Sequence, residues 1–260
     1  MNILLDTSAR PVIGHRGNRA HAPENTLESF AQAVAAGADA IEFDVRISLD
    51  GVPVVIHDPS VLRTTLAAGE IASMTFAELR ELDTGAYFTP DNGATFPYRE
   101  KGHRISSFDE VLEAFPSIPM IIEVKTTASA PAVRRSIEAQ GAEDRVIVDS
   151  LETGAMKVFA DSRIATGGTR ADAIRGMTEL MLGLPVTPFA FDALCLPTSY
   201  RGLPVPVERF ARAAKKQGRV LHVWTINDPA VAIRLWEKGV QGIITDDPAL
   251  MIKTRAKIAR

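Results

Sequence analysis

The chain has 260 residues, 46% of them hydrophobic, enough for one large domain or two small ones and too apolar for global disorder. Its 29 Lys and Arg stand against 32 Asp and Glu, a net charge of −3 without the basic excess that non-specific nucleic-acid binding needs. A small anionic substrate asks only for a local positive field and stays open. The single cysteine, Cys195 in "FDALCLP", excludes an internal disulfide framework and reads as a buried small hydrophobe.

In chain order, the start "MNILLDTSARP" has no basic region and only a three-residue apolar run, so it does not read as a secretory signal. No stretch approaches the roughly 20 apolar residues of a spanning helix. No stable membrane insertion is expected, and the default location is the cytoplasm. "PVIGH" (11–15) is the first strand candidate. In "ENTLESFAQAVAAG" (24–37), Asn25 can cap a helix with Glu28 three residues on, Leu27, Phe30, Ala31, Val34 and Ala35 form one stripe, and Gly37 closes it. "AIEFDV" (40–45) and "VPVVIH" (52–57) follow, joined by "SLDG", a turn too short for a crossover helix. Residues 58–106 are the least regular stretch. They hold a helix candidate at 75–83, with Thr75 and Glu78 at capping-box spacing, and the loop "TGAYFTPDNGATFPYREKGHR"; they read as an insertion at the substrate mouth, not a second core. Ser107 and Glu110 repeat the capping spacing.

The later strand candidates are "PMIIEVK", "RVIVDS", "RIATGG", "ALCLP", "RVLHVWT" and "QGIITD". Between the last two, "NDPAVAIRLWEKG" offers Asp228 as cap, Pro229 at the first helical position and Gly239 at the end. The strands are nearly continuous in apolar character, as strands covered on both faces are. The alternation points to an α/β fold, a (β/α)8 TIM barrel over residues 1–260 with a small insertion after the His57 strand. Nine candidates compete for eight places, so one run is a rim or hairpin strand. A doubly wound open sheet is the runner-up, weakened by the lack of a Gly-rich nucleotide motif after any strand.

Glu42 and Asp44 stand two apart on one strand, so they face the same way. A solvent-facing edge would explain them, but Ile41, Phe43 and Val45 leave little room for an exposed face. Two converging carboxylates repel unless a cation neutralises them, and a hard divalent ion suits oxygen ligands. Glu123 and Lys125 repeat the spacing in "IIEVKTT". Glu123 is a candidate third ligand and Lys125 a positive charge for a substrate oxyanion; an internal Glu–Lys ion pair explains both equally well. A Schiff-base lysine is disfavoured because neighbouring carboxylates keep the amine protonated. His15 precedes Arg16, whose guanidinium suits phosphate. His57 ends the "VPVVIH" run. Two histidines at strand ends can divide base and acid roles near neutral pH. Here His57 is taken as the acid. His21 and His103 lie in loops with no partner pattern and read as surface groups, and His222 as core or support.

At this point the stretch "GHRGNRAHAPENTLESFAQAVAAGADAIEFDVRISLDGVPVVIHD" closely resembles the signature of glycerophosphodiester phosphodiesterases. "LRTT", "IIEVK", "LHVWTIN" and "GVQGIITDDP" agree in order, so the likeness spans nearly the whole chain. The combination HRG, PENT, E-x-D and HD is far more specific than any one part. The resemblance implies a barrel that hydrolyses glycerophosphodiesters to an alcohol and sn-glycerol 3-phosphate. It implies one divalent metal ion, Mg2+ or Ca2+ with Mn2+ as an alternative, on Glu42, Asp44 and Glu123, and an acid–base pair of His15 and His57. It further implies phosphate binding by Arg16 and Lys125, a supporting or substrate-side Asn25, and Trp224 near the glycerol or leaving group. The attacker it implies is the neighbouring glycerol hydroxyl, through a cyclic phosphate; direct water attack fits the same residues. The chain departs from the family at "ISSF" (105–108) and loosely over 150–190, which bears on the leaving group and not on the chemistry. A lysophospholipase D or sphingomyelinase-D-like enzyme acting on lipid head groups is the first rival, and a non-catalytic phosphodiester-binding protein the second. The expected partner is a small-molecule glycerophosphodiester, with no nucleic acid and with a homo-oligomer allowed.

Overall fold

The structure is a computed structural model that describes residues 2–258. Among these residues, eight parallel strands run β1 (Val12–His15), β2 (Ala40–Ile47), β3 (Met120–Val124), β4 (Val146–Asp149), β5 (Ala165–Thr166), β6 (Ala193–Pro197), β7 (Val220–Trp224) and β8 (Gly242–Thr245). Their order in space is β5-β4-β3-β2-β1-β8-β7-β6, and a parallel bridge from Gly167 to Ala193 joins the two ends. Each strand is followed by a helix: α1 (Leu27–Ala35), α2 (Phe108–Ala114), α3 (Ala130–Ala139), α4 (Thr153–Lys157), α5 (Arg170–Met181), α6 (Val207–Lys216), α7 (Pro229–Glu237) and α8 (Pro248–Ile258). This is the (β/α)8 barrel that the alternation implied. The surplus run is "VPVVIH": Pro53–Val55 pairs antiparallel with the end of β2, so the short "SLDG" turn closes a hairpin.

The barrel is a packed core, not a pore. Ile13, Ala40, Ile121, Ile147, Ala193, Val220 and Ile244 meet inside it, and Leu4 on a 3-10 turn (Ile3–Leu5) closes the amino end. Residues of the opposite parity, such as Phe43 on β2 and Ile122 on β3, pack outward beneath the helices with Phe30 of α1 and Phe108 of α2. His222 points inward. Its Nε2 lies 2.9 Å from the Leu4 carbonyl, and burial pushes its imidazole down to about 4, so it is a neutral core group. Gly242 on β8 gives it room, because a Cβ there would meet His222 Nδ1 at 2.0 Å. Gly242→Ala is therefore expected to cost about 1–3 kcal/mol through overpacking, measured by denaturant unfolding. An unchanged midpoint would show that the histidine can move aside.

The capping boxes at Thr75–Glu78 and Ser107–Glu110 are both formed, and Asp228 caps α7 ahead of Pro229. The first helix differs from its sequence reading. Thr26, not Asn25, is the cap, and the buried face is Thr26, Ser29, Phe30 and Ala33, while Leu27, Ala31 and Ala35 face out. The cause is the turn after β1, which presses backbone onto this helix. A Cβ on Gly17 would meet Ser29 at 2.4 Å, and one on Gly14 would meet Ala33 at 3.0 Å. Small residues are required where the hydrophobic stripe was expected. Residues 58–106 carry short helices at Leu62–Thr65 and Phe76–Arg80, and Val61, Ile71, Leu79 and Ile105 pack with Val54 and Ile56 of the hairpin in a small apolar cluster.

Candidate active site

The inward positions change character two residues beyond the barrel's apolar layer, toward the carboxyl ends of the strands. Ile13 gives way to His15, Ala40 to Glu42 and then Asp44, Ile121 to Glu123, Ile147 to Asp149, and Ala193 to Cys195. Register brings these together: His15 pairs with Glu42, Asp44 with Glu123, and Glu123 with Asp149. The resulting pocket is lined by His15, Arg16, Glu42, His57, Glu123 and Lys125, with Asp149, Leu151, Cys195 and Trp224 on its far side. Eight of the nine residues expected from the sequence are thus gathered at this mouth, with Asp44 directly beneath Lys125; Asn25 lies behind them.

Glu42 is 7% exposed and Asp44 1%, which removes the solvent-edge explanation. One carboxylate oxygen from each of Glu42, Asp44 and Glu123 lies within 4.8 Å of the others. Burial, and then the negative charge of Asp44, push the Glu42 carboxyl up to about 7. Burial works against Asp44 too, yet Lys125 and Arg16 hold it below its ordinary value. Lys125 Nζ sits 3.0 Å from Asp44 and 2.9 Å from Glu123, so the Glu–Lys pair exists within the cluster. Burial opposes its charge, but Asp44 and Glu123 outweigh it and raise its pKa, which is the wrong direction for Schiff-base chemistry. The Arg16 backbone N–H donates to Glu42 at 3.1 Å, and its Nη1 donates to Glu24 at 2.7 Å. Its buried Nε lies 3.2 Å from Asp44, an ion pair without hydrogen-bond geometry. Asn25 Nδ2 donates to Asp44 at 2.9 Å; this side chain is buried and fixes a carboxylate, so its contact is the supporting one.

Each histidine has a carboxylate that the sequence reading left unassigned. His15 Nδ1 is 2.7 Å from Asp246, which also accepts from Asn227 at 2.8 Å. His57 Nδ1 is 2.6 Å from Asp58, which is in turn bound by Arg63 Nε at 2.5 Å. Both contacts leave Nε2 as the nitrogen available to a ligand. Burial lowers the His57 pKa, and Asp44 and Asp58 offset this only in part. Glu24 ties the assembly together by accepting from Arg16, Arg19 and the Arg63 of the insertion. Asp149 was also missed; burial and then Glu123 push its carboxyl up to about 7. Its signal was its parity with Ile147. Cys195 lines the pocket and is not fully enclosed; burial and Asp149 raise its thiol well above the ordinary range, so it is not a thiolate nucleophile. His21 is exposed at the surface, 3.3 Å from Asp247, while His103 is half-buried and packs edge-on against Tyr98. No helix among the described residues is long and apolar enough to cross a membrane.

A (β/α)8 barrel with carboxylates, two oriented histidines and two cations at its carboxyl mouth has the form of a phosphodiesterase. A profile of the glycerophosphoryl diester phosphodiesterase family matches residues 15–250, and the chain belongs to that family. It is 30% identical over 257 residues to a glycerophosphodiester phosphodiesterase of Caldanaerobacter subterraneus subsp. tengcongensis, covering 93% of this chain and 96% of that protein. It is 28% identical over 257 residues to one of Bacillus altitudinis, covering 95% and 98%. Among solved structures, a Thermotoga maritima glycerophosphodiester phosphodiesterase superposes with a TM-score of 0.68 at 27% identity, covering 94% of this chain and 97% of that one. An Oleispira antarctica phosphodiesterase in complex with sn-glycerol-3-phosphate gives 0.75 at 24% identity, covering 95% and 97%.

Proposed function

We propose that this enzyme hydrolyses glycerophosphodiesters to an alcohol and sn-glycerol 3-phosphate, using His15 and His57 for proton transfer beside a divalent ion on Glu42, Asp44 and Glu123. The observation that carries this reading is the gathering of both histidines, the carboxylates, Arg16 and Lys125 around one pocket. The names of the relatives supply the reaction class, and the product complex of the Oleispira antarctica protein agrees with it. The three carboxylates fit a hard cation, since their oxygens converge and like charges are buried among them. When bound, such an ion neutralises charge on the non-bridging phosphoryl oxygens.

The chain's own groups do the rest. Lys125 and Arg16 bind and orient the phosphate. One histidine takes the proton of the attacking oxygen as the new P–O bond forms. The other gives a proton to the departing alkoxide as the old P–O bond breaks. The lowered pKa of His57 favours the neutral imidazole near pH 7, the state a base needs, which supports His57 as base and His15 as acid, the reverse of the sequence assignment. Asp58 and Asp246 hold the two rings by their Nδ1 sides.

Product analysis by phosphorus NMR on a panel of glycerophosphodiesters tests the reaction. The expected products are sn-glycerol 3-phosphate and free alcohol; glycerol plus a phosphorylated alcohol would contradict the reading. Metal affinity should also depend on pH. An ion needs Glu42 unprotonated, and in the metal-free protein this carboxyl takes up its proton at about 7. Affinity is expected to fall by up to about tenfold per pH unit below that value and to level off above it. Metal titrations at several pH values check this, and equal affinity at pH 5.5 and pH 8 would rule it out.

A further inference from the structure

A second cavity opens from the diester pocket on the side away from His57. Asp149, Leu151, Cys195 and Trp224 belong to both, so a substrate held at the phosphate groups reaches it without leaving the protein. Its other walls are Ile174 and Met177 of α5, Leu196 of β6, Val205 and Phe210. Its one full charge besides Asp149 is the exposed Arg170, and two of its other polar groups are engaged or buried. The Thr169 hydroxyl donates to Asp172 at 2.6 Å in the cap of α5, and Cys195 stands beside the buried Asp149 carboxyl. Leu151, Ile174 and Tyr200 stand exposed around its rim, at 49%, 48% and 38%. Exposed apolar side chains around an apolar cavity mark a surface that is covered in use. The occupant is set by the continuity with the diester pocket: it is part of the substrate.

We propose that this cavity is the leaving-group subsite and takes an uncharged aliphatic segment of the departing alcohol, so that the enzyme prefers glycerophosphodiesters whose alcohol carries an alkyl chain. The inference rests on the reaction proposed above. Glycerol, with its hydroxyls, gains little from walls that are mostly aliphatic and aromatic and stays on the polar side of the phosphate. Each methylene moved from water into the cavity lowers the barrier for the free enzyme and substrate until the space is filled.

The test uses a series of sn-glycero-3-phosphoalkanols from methyl to octyl, all below their aggregation concentrations. kcat/KM is expected to rise roughly fourfold per methylene at first and then to plateau. Ala173→Phe, which fills the cavity from α5, should flatten the slope. Ile174→Asp at the exposed rim, where no core packing is at stake, should flatten it as well. Cleavage of the methyl ester with no rise along the series overturns the subsite alone. A rise that persists unchanged in both folded variants also overturns it. Failure to cleave any member, the methyl ester included, overturns the proposed reaction and the subsite with it.

Discussion

Replacing either His15 or His57 by alanine is expected to lower turnover of an alkyl glycerophosphodiester by about 10²–10⁴-fold, the usual contribution of a positioned general acid or base. Metal affinity should change little, because neither ring belongs to the carboxylate cluster. The two variants should then part company. An ester of glycerol 3-phosphate with 4-nitrophenol has a leaving group that needs little protonation. The variant lacking the acid, His15→Ala, should recover much of its activity on that ester, while His57→Ala should not. Steady-state rates on the two substrates check this. Recovery in His57→Ala alone would exchange the roles. Equal recovery in both, or in neither, would end the division of labour. The wild-type profile of kcat/KM against pH should be bell-shaped, with the acidic limb below the ordinary histidine value because burial lowers His57.

The carboxylates give the second large effect. Asp44→Asn and Glu123→Gln each remove a charge from a site meant to offset several kcal/mol of developing phosphoryl charge. Each is expected to lower activity about 10³-fold and to weaken metal binding in parallel. Asn25→Ala, which loosens Asp44 without touching the pocket, should cost about 10–100-fold in metal affinity. Circular dichroism separates these outcomes from unfolding, which matters at Asp44 because Lys125, Arg16 and Asn25 all meet it. A Glu123→Gln variant that binds metal as tightly as the wild type would remove Glu123 from the ligand set.

Much of this was legible because a barrel strand writes its function by parity. An inward alanine at 40, a glutamate at 42 and an aspartate at 44 mark where packing ends and the mouth begins, and "IIEVK" repeats the change on the neighbouring strand. The nearly unbroken apolar runs told that both faces were covered. Residues whose role depends on a distant partner were not legible. Asp246 reaches His15 across 231 positions, and Asp58 and Glu24 gain their meaning from Arg63 in the insertion. The buried face of α1 was misread for a related reason: the glycine backbone it packs against wants Ser29 and Ala33, which no hydrophobic pattern announces. Asp149 sat at the right parity, yet a lone strand-end carboxylate has many ordinary explanations.

The central claim is that one pocket joins an acid–base histidine pair to a divalent ion held by Glu42, Asp44 and Glu123. Its most direct test strips the protein with a chelator, verifies the loss of metal by elemental analysis, and follows release of sn-glycerol 3-phosphate as Mg2+, Ca2+ or Mn2+ is added back. The account predicts no measurable turnover in the stripped protein and recovery that saturates at one ion per chain. Full turnover by the metal-free protein, in a fold unchanged by circular dichroism, would contradict it.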